Sequence, residues 1–418
     1  MDALTTPLNW QRVRLGDMTT SFTKQTGFDY SDFIKPTLIK EQLPNYIPFI
    51  QNKDFSGHYI NYKTDYFIPN EIAIRFPQIL LNEKCLLISI SGAIGNVAVF
   101  NHSQDAFIGG AIAVLKFKEK KSLDFVMHFL MSASGQKLLL NSVKSSSHKN
   151  LTIADLRDLL IPLPPLNEQI AIANILSDLD HYLYNLDALI LKKESVKKAL
   201  SFELLSQRKR LKGFNQAWQK VRLGDIGITI SGLVGKTKQD FINGNAKYIT
   251  FLNVLNNVII DTSILENVKI YQNEKQNSFK KYDLFFNTSS ETPKEVGMCA
   301  VLLDDIDQVF LNSFCFGFRI FDKAVDGLFL SYLINSEIGR KAFENLVQGS
   351  TRYNLSKSGF NNVCLFLPPL NEQIAIANIL SDVDNEIISL KNKKRQFDNI
   401  KKALNHDLMS AKIRVLKK

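Results

Sequence analysis

The sequence predicts an α+β architecture in which two similar globules are joined by two long antiparallel coiled-coil spacer helices, related by a pseudo-two-fold internal duplication. Three observations predict it. The chain repeats itself once, each repeat ends in a long 3-4 apolar stripe, and each repeat interior mixes strand-like and helix-like patterns. At 418 residues, with 45% hydrophobic and 22% charged residues, the chain is too long for one ordinary core but normal for two globular domains.

The repeat is explicit. LPPLNEQIAIANILSDLD from Leu163 to Asp180 returns as LPPLNEQIAIANILSDVD from Leu367 to Asp384, and WQRVRLGDM from Trp10 returns as WQKVRLGDI from Trp218. The offset is 208 at the tryptophans and 204 at the paired prolines, so the copies differ by four residues inside their interiors. This is one tandem duplication and not a solenoid. Each copy runs from a Trp-led opening through a mixed interior and a Pro-Pro junction into a long helix.

The interiors are parallel in pattern. Leu86 to Val99 and Leu284 to Val301 each read as an apolar strand, a polar loop and a return strand, and Ala111 to Phe117 and Phe314 to Phe321 follow as further strands. Asp124 to Lys137 and Leu328 to Lys341 each read as an amphipathic helix, with Gly135 and Gly339 in register.

After the prolines, Asn167 and Asn371 are suited to cap helices, and Glu168 and Glu372 place negative charge in the first turn, where the helix dipole favours it. The stripe Ile172, Leu176, Leu179, Leu183, Leu186, Ile190, Lys193, Lys197, Leu200, Leu204, Gln207, Leu211 is apolar at 9 of 12 positions. Its counterpart Ile376, Leu380, Val383, Ile387, Leu390, Lys394, Phe397, Lys401, Leu404, Leu408, Ala411, Val415 is apolar at 10 of 12, again with lysines near the middle. Both are coiled-coil seams. A helix of about 40 residues is ~60 Å long, more than one globule can cover, so the two helices must pack on each other. Antiparallel closure is the simplest arrangement for a duplicated chain.

The charge is +10, with a pI near 9.2, which favours a polyanionic partner. It is concentrated in two places. Lys192 to Lys212 holds eight basic and two acidic residues, and Lys391 to Lys418 holds ten and two, so the globules themselves are slightly acidic. These helical segments read either as solvated faces with cations near helix C-termini, or as surfaces for DNA phosphates or an acidic partner.

Other chemistries fail on spacing. Cys85, Cys299, Cys315 and Cys364 form no Cys-x-x-Cys pair and read as small buried apolar residues in a reducing compartment. Gly232 and Gly235-Lys236-Thr237 resemble a phosphate loop, but only two residues separate the glycines where four are needed. No acidic or Asn-Pro-Pro-aromatic motif suits amine methylation, and Asp105 with Glu119 and Lys121 forms a nuclease-like triplet that the other half lacks. No residue is assigned a catalytic or metal-binding role. With no leader-like segment, and with its most apolar stretch (Cys85 to Phe100) interrupted by Ser89, Ser91, Gly92, Gly95 and Asn96, the chain is predicted to be cytoplasmic, away from any membrane.

The two "W-x-x-V-x-L-G-D" openings, the two "LPPLNEQIAIANILSD" junctions and the basic coiled-coil segments resemble, in order and over the whole chain, the specificity subunit of type I restriction-modification systems. The resemblance implies target-recognition domains at residues 1–166 and 213–370, with spacer helices at 167–212 and 371–418. It also implies a non-catalytic subunit that reads one half of an asymmetric bipartite site in double-stranded DNA with each domain. The spacers would act as a ruler and dock two methyltransferase subunits, which would bind the S-adenosylmethionine that this chain does not bind. A motor-nuclease restriction subunit would join through them. The other reading is a coiled-coil scaffold whose duplicated globules bind proteins and not DNA.

Candidate DNA contacts lie in loops that recur at matching places. Ser146, Ser147, His148, Lys149 and Asn150 align with Ser350, Thr351, Arg352, Tyr353 and Asn354; they are polar and partly cationic, as phosphate and groove contacts require. The competing reading makes them helix-exit loops whose asparagine caps the next element. Ser91, Gly92 and Asn96, with Asn287, Ser289, Ser290 and Thr292, form a second set, which read more readily as turns.

Overall fold

The computed structural model describes residues 9–57, 59–143, 150–344, 346–349 and 352–415. The chain forms two units, residues 1–187 with 393–418, and residues 188–392. The α+β class and the duplication are as the sequence predicts.

In the first unit a four-stranded antiparallel sheet runs Thr19–Lys24, Ile112–Phe117, Cys85–Ser89, Val97–Phe100 in spatial order. Its counterpart in the second unit runs Gly227–Ser231, Cys315–Ile320, Leu284–Asn287, Cys299–Val301, with the same connectivity. Cys85–Ser89 and Leu284–Asn287 are buried along their whole length, and apolar up to the last residue, because both their faces are covered. Leu86 and Ile88 enter one core, while Cys85 and Leu87 enter the other. Leu284 and Phe286 likewise part from Phe285. Against each sheet lies a second one, four-stranded in the first unit and three-stranded in the second, in which Tyr46–Ile50 pairs parallel with Ala106–Ile108, and Ala246–Ile249 with Val309–Leu311.

The repeated openings and junctions find each other. Gln11–Arg14 pairs antiparallel with Leu160–Leu163, and Gln219–Arg222 with Cys364–Leu367, closing each repeat on itself. Trp10 then stands edge-on to Phe125 at 6.1 Å between centroids, and Trp218 to Phe329 at 5.9 Å. Both motifs are therefore explained by closure of the core.

The single amphipathic helix expected in each interior is two. Leu123–Met131 ends at Ser132 and Ala133–Asn141 begins there; Gly327–Asn335 ends at Ser336 and Glu337–Glu344 follows. Both serines adopt extended backbone and accept a hydrogen bond from the glycine amide three residues on, at 3.1 Å from Gly135 and 3.2 Å from Gly339. A Cβ on Gly135 would lie 2.0 Å from the Phe129 oxygen, and one on Gly339 2.1 Å from the Leu333 oxygen. The glycines let the second helix cross close over the end of the first. Periodicity survives the break, which is why the pattern reads as one helix.

The long helices span Leu166–Leu205 and Leu370–Met409, 40 residues each. They begin at the leucine before Asn167 and Asn371, so these asparagines sit inside the first turn and do not cap. The Pro165 carbonyl instead accepts the Glu168 and Gln169 amides, and the Pro369 carbonyl those of Glu372 and Gln373. The helices also stop short of the last seam positions. Gln207 and Ala411, equivalent in the two copies, turn the chain with positive φ of 61° and 53°.

Within each unit the two helices pair antiparallel. In the first, Glu168 meets Arg414 at 2.7 Å, Asp187 meets Lys394 at 2.6 Å, and Asp180 pairs with Lys401 between them. In the second, Glu372 meets Arg210, Asp384 meets Lys197, and Glu386 meets Lys193, at 2.5–2.7 Å. Glu168 and Glu372 are almost wholly buried. A buried carboxylate is tolerated only with such a partner. The lysines that interrupt the seam are accordingly cross-helix ion partners, not a bare basic face. Below them Ile172, Leu176, Ile376 and Leu380 are fully buried, each side chain stabilising its core by ~1.5–3 kcal/mol.

Cys85, Cys299 and Cys315 are buried, and burial pushes the Cys85 thiol up to about 12. Cys364 departs from the expectation: it faces outward from the edge strand that closes the second repeat.

Candidate nucleic-acid interface

In each unit the two nominated loops, far apart in sequence, are joined by the same backbone contact. In the first unit Leu151 donates its N–H to the Ile90 carbonyl at 3.0 Å, and Ser91 bridges Asn150. In the second, Leu355 donates to Thr288 at 2.9 Å, and Ser289 and Ser290 pair with Asn354 and Tyr353. Strand-connecting loop and helix-exit loop thus form one surface in each unit.

Within that surface the named residues differ in what they can offer. Gly92 and Asn96 are exposed and Ser91 is half-buried. Gly92 and Gly95 have φ of 74° and 88°, the left-handed conformation that this turn needs and that glycine alone adopts freely. Asn52 Nδ2 donates to the Ser91 carbonyl at 2.6 Å and Gln136 Nε2 to the Gly95 carbonyl at 2.8 Å, so the turn is held from both sides. Beside it a hollow of about 330 Å³ is lined by Gln51, Asn52, Lys53, Gly109, Gly110, Ala111 and Ile112. Asn52 and Lys53 were not singled out by sequence, since a short 3-10 turn carries no pattern.

In the second unit Thr292 and Arg352 are exposed, and Ser290 and Tyr353 are half-buried. Asn287 and Ser289 must be withdrawn as contacts. Asn287 is fully buried; its Nδ2 donates to the Glu295 carbonyl at 2.7 Å and its Oδ1 accepts the Met298 amide at 2.7 Å. Ser289 is buried beside it. Both secure the loop from within. The Ser290 hydroxyl is shared with Glu295 at 2.8 Å and with the Thr292 amide.

The capping reading of Asn150 and Asn354 is also overturned. The short helices that follow are capped by Thr152, which accepts from the Asp155 amide, and by Ser356, which accepts from Gly359. Asn354 lies in a strand and donates to the Arg352 carbonyl at 3.3 Å. Ser146, Ser147, His148, Lys149, Ser350 and Thr351 lie outside the described residues.

The discarded phosphate loop has another use. Lys236 is buried against Glu274 at 2.5 Å and the Lys269 carbonyl at 2.6 Å. Glu119, from the nuclease-like triplet, accepts the Lys121 amide as a cap. Among the described residues no group of three or more His, Cys, Asp or Glu could hold a metal ion.

Residues 7–193 and 215–397 match the family described as type I restriction modification DNA specificity domain. The chain belongs to that family. Across almost its full length this specificity subunit is 26% identical to the type I restriction enzyme MjaVIII specificity subunit of Methanocaldococcus jannaschii, covering 99% of this chain and 95% of the relative. A shorter stretch, 24% of this chain and 22% of the relative, is 28% identical to the EcoBI specificity subunit of Escherichia coli. In fold it is similar to the S subunit of a type I restriction-modification system from M. genitalium, with a TM-score of 0.61 at 16% identity and 97% of both chains covered. A second structure, concerned with complex assembly and conformational transition of the type I system, gives a TM-score of 0.52 at 14% identity, covering 97% of this chain and 98% of that one. The specificity subunit contains no described helix long and apolar enough to cross a membrane.

Proposed function

We propose that this chain is a non-catalytic cytoplasmic subunit that reads an asymmetric bipartite site in double-stranded DNA, one half-site per unit, and docks two methyltransferase subunits that bind S-adenosylmethionine, with motor-nuclease restriction subunits joining through them. The observation that carries it is the twice-built surface, in which Leu151 to Ile90 and Leu355 to Thr288 make the same bond while the loops around them differ in sequence. One scaffold presenting two different sets of side chains suits two different half-sites, since base readout depends on side-chain identity and backbone placement only sets register.

Docking is supported by a second duplication. A cleft of about 330 Å³ in the first unit is lined by Met131, Ser132, Asp398, Lys402 and His406 among others. One of about 650 Å³ in the second is lined by Asn335, Ser336, Glu194, Lys198 and Phe202 at equivalent places. Two alike clefts suit two copies of one partner. The test is to map methylated adenines in a genome that carries this gene and its methyltransferase gene, and to compete the complex with random duplex in gel shifts. A split motif lost on deleting this gene is the expected result. Binding that random duplex abolishes equally would favour the protein scaffold.

A further inference from the structure

At one backbone position the two units are built alike and equipped differently. The Ile90 amide donates to the Ala111 carbonyl at 2.8 Å, and the Thr288 amide to the Phe314 carbonyl at 2.9 Å. The first unit thus carries a methyl group there, flanked by Gly109 and Gly110 and opening on a hollow. The second carries a benzyl ring, 51% exposed. The fold itself tolerates alanine at this place, so core packing does not account for the ring.

The backbone that carries the ring is held firmly. The Thr288 hydroxyl gives the Phe314 carbonyl a second hydrogen bond at 2.8 Å, and Asn312 Oδ1 accepts the Phe314 amide at 2.9 Å. The Arg352 guanidinium lies over it, 5.3 Å from the ring centroid. Gly349 comes so near that a Cβ there would sit 2.1 Å from the Arg352 oxygen, and Asn354 donates to that same oxygen, so the arginine backbone is fixed as well. Among the described residues Arg352 makes no ion pair, which leaves the edge of its fork for a ligand.

We propose that Phe314 and Arg352 form a reading head, peculiar to the second unit, for a guanine beside a thymine in the major groove. The proposal rests on the DNA-reading function above. A guanidinium held over a ring has lost rotamer freedom before binding, and its fork can offer two N–H groups to guanine O6 and N7. The ring edge beside it is an apolar surface at the depth of the neighbouring base, where the thymine 5-methyl is the apolar group on offer. The first unit, with Ala111 and a hollow, reads its half-site by other groups.

The test uses the full chain bound to its methyltransferase subunits, with duplexes carrying the mapped site. Each thymine in turn is replaced by uracil, which removes only the methyl, and each guanine by 7-deazaguanine, which removes only N7. For the wild type, one uracil and one neighbouring deazaguanine, both in the same half-site, are expected to weaken binding by roughly three- to tenfold and about tenfold or more, respectively. Phe314→Ala abolishes the uracil effect. Arg352→Ala abolishes the deazaguanine effect, and Arg352→Lys, which keeps a charged donor but not the planar fork, reduces it. Phe314→Leu, a milder change, guards against misfolding and keeps part of the uracil effect. A complex that keeps its split site but ignores every thymine methyl, or keeps the uracil penalty in Phe314→Ala, overturns this reading head alone. A complex with no preferred site overturns the DNA-reading function and the reading head with it.

Discussion

Ser290 and Tyr353 face each other across two antiparallel strands, one from the loop between sheet strands and one from the loop leaving the helix pair. Their pairing fixes where Arg352 stands. In the first unit Ser91 and Asn150 make the bridge that corresponds to the neighbouring pair, Ser289 and Asn354.

Arg352→Ala is expected to weaken binding of the complex to DNA while leaving the melting temperature of the chain unchanged, because the side chain is exposed. Salt-titrated binding distinguishes its roles. A phosphate contact would flatten the plot of log affinity against log salt by about one unit, whereas a base contact leaves the slope and relaxes one position of one half-site.

Ser356→Ala should cost ~1 kcal/mol by urea denaturation, since it removes the side chain that accepts the Gly359 amide. Asn354→Ala should stay within ~0.5 kcal/mol, as the one described hydrogen bond of its side chain is exposed and 3.3 Å long and its strand pairing is through the backbone. The reverse order would return the capping role to the asparagine.

Gly339→Ala drives a methyl group into the Leu333 carbonyl, 2.1 Å from the built Cβ. Forced overpacking of this kind costs ~1–3 kcal/mol or more, so the melting temperature should fall well below that of an exposed control such as Lys341→Ala. An equal melting temperature would show that the two helices can separate without loss.

Arg414→Ala strands the Glu168 carboxylate, which is 2% exposed, without its 2.7 Å partner. The expected loss is ~2–3 kcal/mol, below the 3–5 typical of fully buried pairs because the arginine is partly exposed. Pairing the change with Glu168→Gln should restore part of it. A double variant as unstable as the sum of the singles would mean that the two side chains do not interact.

Ile338→Arg places bulk and charge in one of the two duplicated clefts. By mass measurement, the purified complex should hold one methyltransferase subunit instead of two. Retention of both would move the docking surface elsewhere.

Much of the fold was legible because its signals are local or repeated. Duplication, the 3-4 stripes and the strand pattern need only neighbouring residues and a comparison of the chain with itself. The site was half legible. Matching loops could be nominated at offset 204, but a polar residue in a loop looks the same in sequence whether it faces water or the loop's own backbone. Asn287 and Asn96 read alike, and only one is exposed. Phe314 was passed over as a strand residue, since its exposure depends on where the strand begins.

The sequence by itself determined that the chain is a duplicated α+β protein with two long helices, and which family it resembles, because periodicity and repetition are properties of order along the chain. The tertiary structure alone decided three further things. Glu168 and Glu372 hold arginines from the segment just past the C-terminus of the other long helix and do not merely serve the helix dipole. The mid-seam lysines are paired with carboxylates. Loops from distant parts of each repeat make one surface. All three are long-range contacts, whose partners are selected by packing and by the cost of leaving a buried charge or backbone group alone, and no local pattern encodes that choice.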